Sequence, residues 1–528
     1  MPFLPHTLIE YQAELRPDSP AIAYKDIKIT YRDLSSQIRF FAHAVLNSGL
    51  PSQSRIGVYL PKQPETVITM FGTMSAGACS VPINPALKAK QVKHILNDCG
   101  VSILVTSPTR LQHLLETIVD CPSLKKIIIT DNTLPRQEFS LPIASWDSFC
   151  ISQGGRLKQP GENDIAAIFY TSGSHGKPRG VVLTHNNLAI GAETVAQYLK
   201  LSKEDRILAV LPLSFDYGFS QLTSAFHRGA CVILLDYLFP QDVINAVDKY
   251  RVTGLAGIPT LWHQLAGINW PDHTKRHLRY ITNSGAAISE KLIKHYRNLL
   301  PSTDIYLMYG LTEAFRSTYL EPDQVDKRPG SIGKAVPNAE VVIINDKNNE
   351  CQPDETGELV HVGPLVAQGY WNNIKETKKR FKPLPPSVNS RYGNNQKAVW
   401  SGDLVKKDRE GYVYFIARRD GMIKTSGYRV SPEEIEQALR EIDSVQECAV
   451  FTVPHEELGE EIIAAVTMKD KNRLTANKLS VLLKQDLPLY MIPKKFIILE
   501  DLPLSANGKV DKNMLLSDFK NKLSRTDE

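Results

Sequence analysis

No apolar run in this sequence approaches the ~18 residues that a membrane-spanning helix needs. The first ten residues, Met1 to Glu10, have neither the basic segment nor the long apolar core of a signal peptide. There is no Cys-x-x-Cys pair, and the seven cysteines are scattered and odd in number, which argues against a disulfide framework or a cysteine zinc site. A reduced, cytoplasmic compartment is the simplest expectation. A net charge of +5 on 528 residues is too small for the clustered basic face of a nucleic-acid binder. A Walker A loop, Gly-x-x-x-x-Gly-Lys followed directly by Ser or Thr, is also missing. Lys177 after Gly176 runs into Pro178, which leaves no hydroxyl for magnesium and no immediate helix. Kinase and P-loop ATPase readings are disfavoured accordingly.

What the sequence does carry is Tyr170-Thr-Ser-Gly-Ser-His-Gly-Lys-Pro-Arg-Gly180, directly after the strand-like run Ile165 to Tyr170. Glycines let backbone N–H groups approach an anion closely, and the hydroxyls of Thr171, Ser172 and Ser174 add donors. Lys177 and Arg179 supply positive charge. The chemistry suits a loop that wraps the phosphates of a nucleotide.

A chain of 528 residues is too long for one ordinary core, so two or three domains are expected. Strand-like runs alternate with helix-like stretches over 165–313, at 206–211, 230–235, 279–282 and 304–308, the pattern of α/β construction. Runs at 55–59, 102–106 and 126–130 predict an earlier α/β lobe. From residue 339 short strands (339–344 and 357–361) read as a small β-rich unit. The proline- and asparagine-rich segment 383–398 predicts an exposed loop. Past Arg418-Arg-Asp-Gly421 a separate unit begins with a well-marked helix: Ser431 as N-cap, Pro432 at its first position and Glu434 completing a capping box. Ile435, Ala438, Leu439 and Ile442 form its apolar face.

Four further segments join the loop: Tyr309-Gly-Leu-Thr-Glu313, Trp400-Ser-Gly-Asp-Leu404, Arg418-Arg-Asp-Gly-Met-Ile-Lys-Thr-Ser-Gly-Tyr-Arg429 and Leu502-Pro-Leu-Ser-Ala-Asn-Gly-Lys-Val-Asp511. Each alone passes for an ordinary turn. Five in order resemble the AMP-forming acyl-CoA synthetase superfamily, which includes luciferases and the adenylation domains of non-ribosomal peptide synthetases. The resemblance implies an α/β fold with a large N-terminal domain, residues 1–419, of two α/β lobes plus the small β-rich unit. A small mobile α+β C-terminal domain, 420–528, would be hinged at Asp420.

It also implies an enzyme that joins a carboxylic acid to ATP, releases pyrophosphate from an acyl-adenylate, and passes the acyl group to a thiol of coenzyme A or carrier-bound phosphopantetheine. Thr171, Ser172, Gly173, Ser174, His175, Gly176, Lys177 and Arg179 would hold phosphates. Glu313 would bind Mg²⁺, a hard cation suited to carboxylate and phosphate oxygens. Thr312 would hydrogen-bond the reacting phosphate, Tyr309 would stack beside adenine, and Asp403, assisted by Arg418, would accept the ribose hydroxyls. Lys509 would offset charge in the adenylation transition state, with Arg429 adding a phosphate contact. Rotation at Asp420 would then exchange Lys509 for Lys424 and Gly427, opening a thiol channel. His175 replaces the family's usual Thr and Arg179 its usual Lys.

Two alternatives stand beside this reading: an amino-acid ligase loading a separate carrier protein, and an inactive nucleotide-binding relative. The chain ends shortly after Lys509, so no fused carrier domain is expected. For the acid, Phe215-Asp216 resembles the Phe-Asp pair of amino-acid-adenylating domains, and Arg316 aligns to the same acyl pocket. Together they predict a small polar or zwitterionic acid, unless Asp216 and Arg316 pair with each other.

Overall fold

The computed structural model describes residues 4–131, 141–151, 154, 157–171, 178–389, 397–419, 421–469, 474–503 and 510–524. Among these residues the strands form three sheets, of 8, 13 and 5 strands.

The 8-stranded sheet contains the predicted runs Arg55–Tyr59, Val101–Thr106 and Lys126–Ile129, paired in parallel. All six residues of Val101–Thr106 are buried. A central parallel strand is covered on both faces, so it reads as a continuous apolar run. Ile165–Thr171 lies in the same sheet and pairs antiparallel with Arg179–Thr184, with Thr171 opposite Arg179. The glycine- and serine-rich segment therefore connects two adjacent strands. Ser172, Gly173, Ser174, His175, Gly176 and Lys177 themselves lie outside the described residues.

The 13-stranded sheet has a parallel centre that includes Cys231–Leu234, Arg206–Ala209, Gly254–Gly257, Tyr280–Asn283 and Asp304–Tyr309. From Thr318 onward its strands run antiparallel, through Thr318–Leu320, Ser331–Ala335, Val413–Arg418, Ala398–Lys407, Gly357–Val362 and Glu340–Ile344. The expected β-rich unit is thus an edge-on continuation of the second lobe's sheet, not a detached one. The two sheets share a core on the helices Pro64–Ser75, His185–Tyr198 and Asp216–Arg228. There Phe71 packs on Phe219 and Phe226, with ring centroids 5.6 and 5.5 Å away.

The third, 5-stranded sheet lies within residues 423–499 and belongs to a small C-terminal domain with helices Pro432–Arg440, Ala476–Asp486 and Lys512–Ser524. Ile435 and Leu439 are buried and Ala438 and Ile442 pack beside them, the apolar face expected of the first helix. Its capping box does not form. Among the described residues Ser431 makes no cap hydrogen bond, and its buried Oγ finds no partner. Glu434 instead faces the N-terminal domain, where burial pushes its carboxyl up to about 7 against a hydrogen bond from Gln91. The segment 383–398 is not simply an exposed loop: Pro386–Asn389 is a short helix, and Leu384 and Val388 are buried against Trp400. No described helix is long and apolar enough to cross a membrane.

Candidate active site

Three parallel strands of the large sheet end at one place, and the loops leaving their C-terminal ends build a cleft of about 180 Å³. Arg206–Ala209 continues through Leu211-Pro212-Leu213-Ser214-Phe215 into the helix Asp216–Arg228, Tyr280–Asn283 into Ser284-Gly285, and Asp304–Tyr309 into Gly310-Leu311-Thr312. Just beyond, Thr312–Ala314 is a 3₁₀ turn followed by Phe315 at a φ of 58°. A positive φ is uncommon for a non-glycine residue and marks a site where the fold imposes the backbone. The Phe315 ring is buried, and a β-carbon at Gly191 would come within 2.6 Å of it. The kink sends neighbouring side chains to different partners: Glu313 to Tyr370, and Arg316 to Asp216.

Glu313 is 3% exposed. Burial alone would raise its carboxyl, but the Arg429 and Arg380 charges and the Tyr370 hydroxyl, which donates at 2.6 Å, hold it below the usual range. Arg429 Nη1 lies 3.6 Å from Glu313 Oε1. A buried, ionised carboxylate is the donor a hard divalent cation prefers. Tyr370 and Arg380 carried no recognisable motif, and sequence reasoning missed both.

Asp403 sits within the strand Ala398–Lys407, where Ser401 to Asp403 form an extra loop against Gly357–Val362 and Gly402 takes a φ of 75°. Such a bulge re-aims one side chain without ending the strand. Asp403 is buried, accepts from the Tyr309 hydroxyl, and has Oδ1 2.9 Å from Arg418 Nη1. Among the described residues that Oδ1 makes no hydrogen bond. A buried carboxylate with spare acceptor capacity beside an aromatic ring fits the hydroxyls of a ribose and the face of a base.

From the C-terminal domain comes the hairpin Ile423–Thr425 and Tyr428–Val430, joined by Ser426 and Gly427 at φ of 50° and 77°. Two consecutive positive φ values make a two-residue turn that suits glycine. Gly427 is pressed into the large domain, where a β-carbon would come within 2.8 Å of Ile258. Lys424 Nζ lies 5.5 Å from the centre of the Tyr309 ring. Burial lowers the Lys424 ammonium to about 8; Asp403 opposes this and Arg418 and Arg429 reinforce it. Phe215 meets Tyr428 edge-on at 5.1 Å, and Lys90–Glu441 and Gln91–Asp486 contacts clasp the domains further out.

The structure therefore brings together Thr171, Phe215, Asp216, Thr312, Glu313, Arg316, Asp403, Arg418, Lys424, Gly427 and Arg429 around one cleft. Tyr309 is buried beside it and reaches the site through Asp403 and Lys424. Arg179 stands at its margin, paired with Glu376 at 2.9 Å. Thr312 donates to Asp216 Oδ1 at 3.0 Å. Asp420 and Lys509 lie outside the described residues.

The chain belongs to the AMP-binding enzyme family. The family model for AMP-binding enzymes matches residues 9–371, and that for the AMP-binding enzyme C-terminal domain matches residues 434–509. The chain is 30% identical over 515 residues to one of the linear gramicidin synthase proteins of Brevibacillus parabrevis, covering 97% of this chain and 10% of that protein. It thus spans about a tenth of that relative's length. It is 29% identical over 517 residues to the indoleacetate–CoA ligase of Aromatoleum aromaticum, covering 96% of each. A solved structure of o-succinylbenzoate-CoA synthetase from Bacillus subtilis shares the fold, at 24% identity and a TM-score of 0.81, covering 96% of this chain and 97% of that one.

Proposed function

We propose that this protein activates a small carboxylic acid with ATP and transfers the acyl group to a thiol. In the first step a carboxylate oxygen bonds to the α-phosphorus and pyrophosphate leaves. In the second a thiolate bonds to the acyl carbon and AMP leaves. The observation that carries this reading is the meeting of Glu313, the Asp403–Arg418 pair and the Lys424 hairpin in one cleft. Acid-dependent exchange of pyrophosphate into ATP, followed by thioester formation on adding coenzyme A or a phosphopantetheinyl carrier, tests it. A gramicidin synthase and a CoA ligase among the relatives support both acceptors. Seven free cysteines, most of them buried, fit a reduced cytoplasmic setting.

In this reading Asp403 holds the ribose, and residues 172–177 with Thr171 hold the phosphates. Glu313 would hold Mg²⁺, which would neutralise phosphate charge there. The docked hairpin is the arrangement for thiol transfer: Lys424 and Gly427 occupy the cleft, and Arg429 stands where a cation at Glu313 would sit. Adenylation then requires the C-terminal domain to swing about Asp420, withdrawing Arg429 and presenting Lys509.

Asp403→Asn is expected to raise the apparent KM for ATP about 10- to 100-fold, with a smaller effect on kcat. A hydrogen bond to a charged group is worth roughly 1.5–3 kcal/mol, and this one persists throughout the reaction. An unchanged ATP dependence in the exchange assay would remove Asp403 from the ribose site.

Lys424 gives a pH signature. Its ammonium is depressed to about 8, and an AMP phosphate beside it would draw that value up. The contribution of its charge to AMP affinity is therefore full below pH 8 and lost as pH rises above it. Calorimetry should show wild type binding AMP more tightly than Lys424→Met at pH 7, with the two converging at higher pH. A gap that stays constant through pH 10 contradicts this assignment.

A further inference from the structure

The acyl end of the cleft is electrically balanced before any substrate arrives. Arg316 Nη1 lies 2.6 Å from Asp216 Oδ2, and the Asp216 side chain is 13% exposed. Arg316 is itself 2% exposed, donates to Ser220 Oγ at 3.0 Å, and lies over the Tyr217 ring at 4.6 Å. Thr312 occupies the other Asp216 oxygen. Asp216 is therefore not the lone carboxylate that would seat an ammonium group. An ammonium at Asp216 would leave the cluster with one unbalanced positive charge, and a second carboxylate at Arg316 would leave one unbalanced negative charge. An unbalanced charge away from water is strongly disfavoured, whereas an uncharged group leaves the pair intact.

Sharing Arg316 and Tyr217 with the cleft, a chamber of about 20 Å³ is lined from the helices His185–Tyr198 and Asp216–Arg228 and from the ends of the parallel strands. That is room for about one water. Arg316, Gln221 and Tyr198 line it, and the Tyr198 hydroxyl hydrogen-bonds the Arg316 side chain; Arg316 Nε and Gln221 Oε1 themselves are buried with no hydrogen bond among the described residues. The first needs an acceptor and the second a donor. A hydroxyl is both.

On the adenylation reading above, we propose that the acid activated here carries no charge beyond its reacting carboxylate and ends in a hydroxyl directed at Arg316 and Gln221. Amino acids and dicarboxylates are excluded, despite the likeness of Phe215-Asp216 to the Phe-Asp pair of amino-acid-activating domains.

The test is pyrophosphate release from the full-length protein with two sets of matched acids. One set is 4-hydroxybutyrate, 4-aminobutyrate and succinate; the other is 4-hydroxybenzoate, 4-(aminomethyl)benzoate and terephthalate. In whichever set is used, the hydroxyl member is expected to exceed both charged members at least tenfold in kcat/KM. Arg316→Met should move the preference to the ammonium member, Asp216→Asn to the carboxylate member, and the double variant back to the hydroxyl member. Should a single variant fail to fold, the wild-type ranking and the charge-neutral double variant decide. A wild type that prefers a charged member overturns this inference and leaves adenylation standing, as do folded single variants that keep the wild-type order. Release from no acid in either set, or in a wider panel, overturns the adenylation reading and this inference with it.

Discussion

Replacing Lys424 with alanine is expected to slow thioester formation from a preformed acyl-adenylate roughly 10²- to 10³-fold, the effect of removing one charge-stabilising donor. Pyrophosphate exchange should stay within a few-fold. Lys509→Ala should do the reverse. The Lys424 hairpin and the described residues on either side of Lys509 lie in different parts of the small domain. The Lys424 hairpin is buried in the cleft, with Gly427 against Ile258 and Tyr428 against Phe215. The residues flanking the Lys509 loop, Leu502 and Val510, belong to a separate packed face with Phe451 and Phe519. A domain that delivers each lysine by rigid rotation cannot deliver both at once, so each substitution should spare the other's step. Loss of the same half-reaction in both variants would contradict alternating presentation.

The strands that sequence reading placed correctly are the ones buried on both faces, such as Val101–Thr106, whose apolar run needs no partner to be visible. Gly254–Gly257 was invisible because its glycines serve other residues. A β-carbon at Gly254 would lie 2.3 Å from the Tyr280 ring, and one at Gly257 2.6 Å from Trp262. Those rings fill the space that strand side chains would take, so the segment lacks the branched residues that mark a strand. The site divides in the same way. Glu313, Asp403 and Lys424 each lie in a compact motif and were legible. Tyr370, which fixes the Glu313 carboxylate from 57 positions away, sits at a strand end with nothing local to distinguish it. The pairing of Asp216 with Arg316, 100 positions apart, was open as one of two readings until the kink at Phe315 showed which way Arg316 turns.

Glu313→Gln is expected to reduce pyrophosphate exchange roughly 100-fold, since a bound metal supplies several kcal/mol of charge stabilisation in phosphoryl chemistry. The substitution keeps the shape and the Tyr370 contact but removes the charge. The apparent Mg²⁺ requirement should rise, and excess Mg²⁺ should restore part of the rate. The thiol step should behave differently. In the docked arrangement the cation facing Glu313 is the Arg429 guanidinium, 3.6 Å away, and a divalent ion there would meet its repulsion. On the proposed reading the two cations serve different steps, and no metal would be needed once pyrophosphate has left. Transfer from a preformed acyl-adenylate by Glu313→Gln should accordingly stay within a few-fold of wild type and be indifferent to Mg²⁺. Equal loss of both steps, unrelieved by metal, would make Glu313 a support for the fold, not a metal ligand.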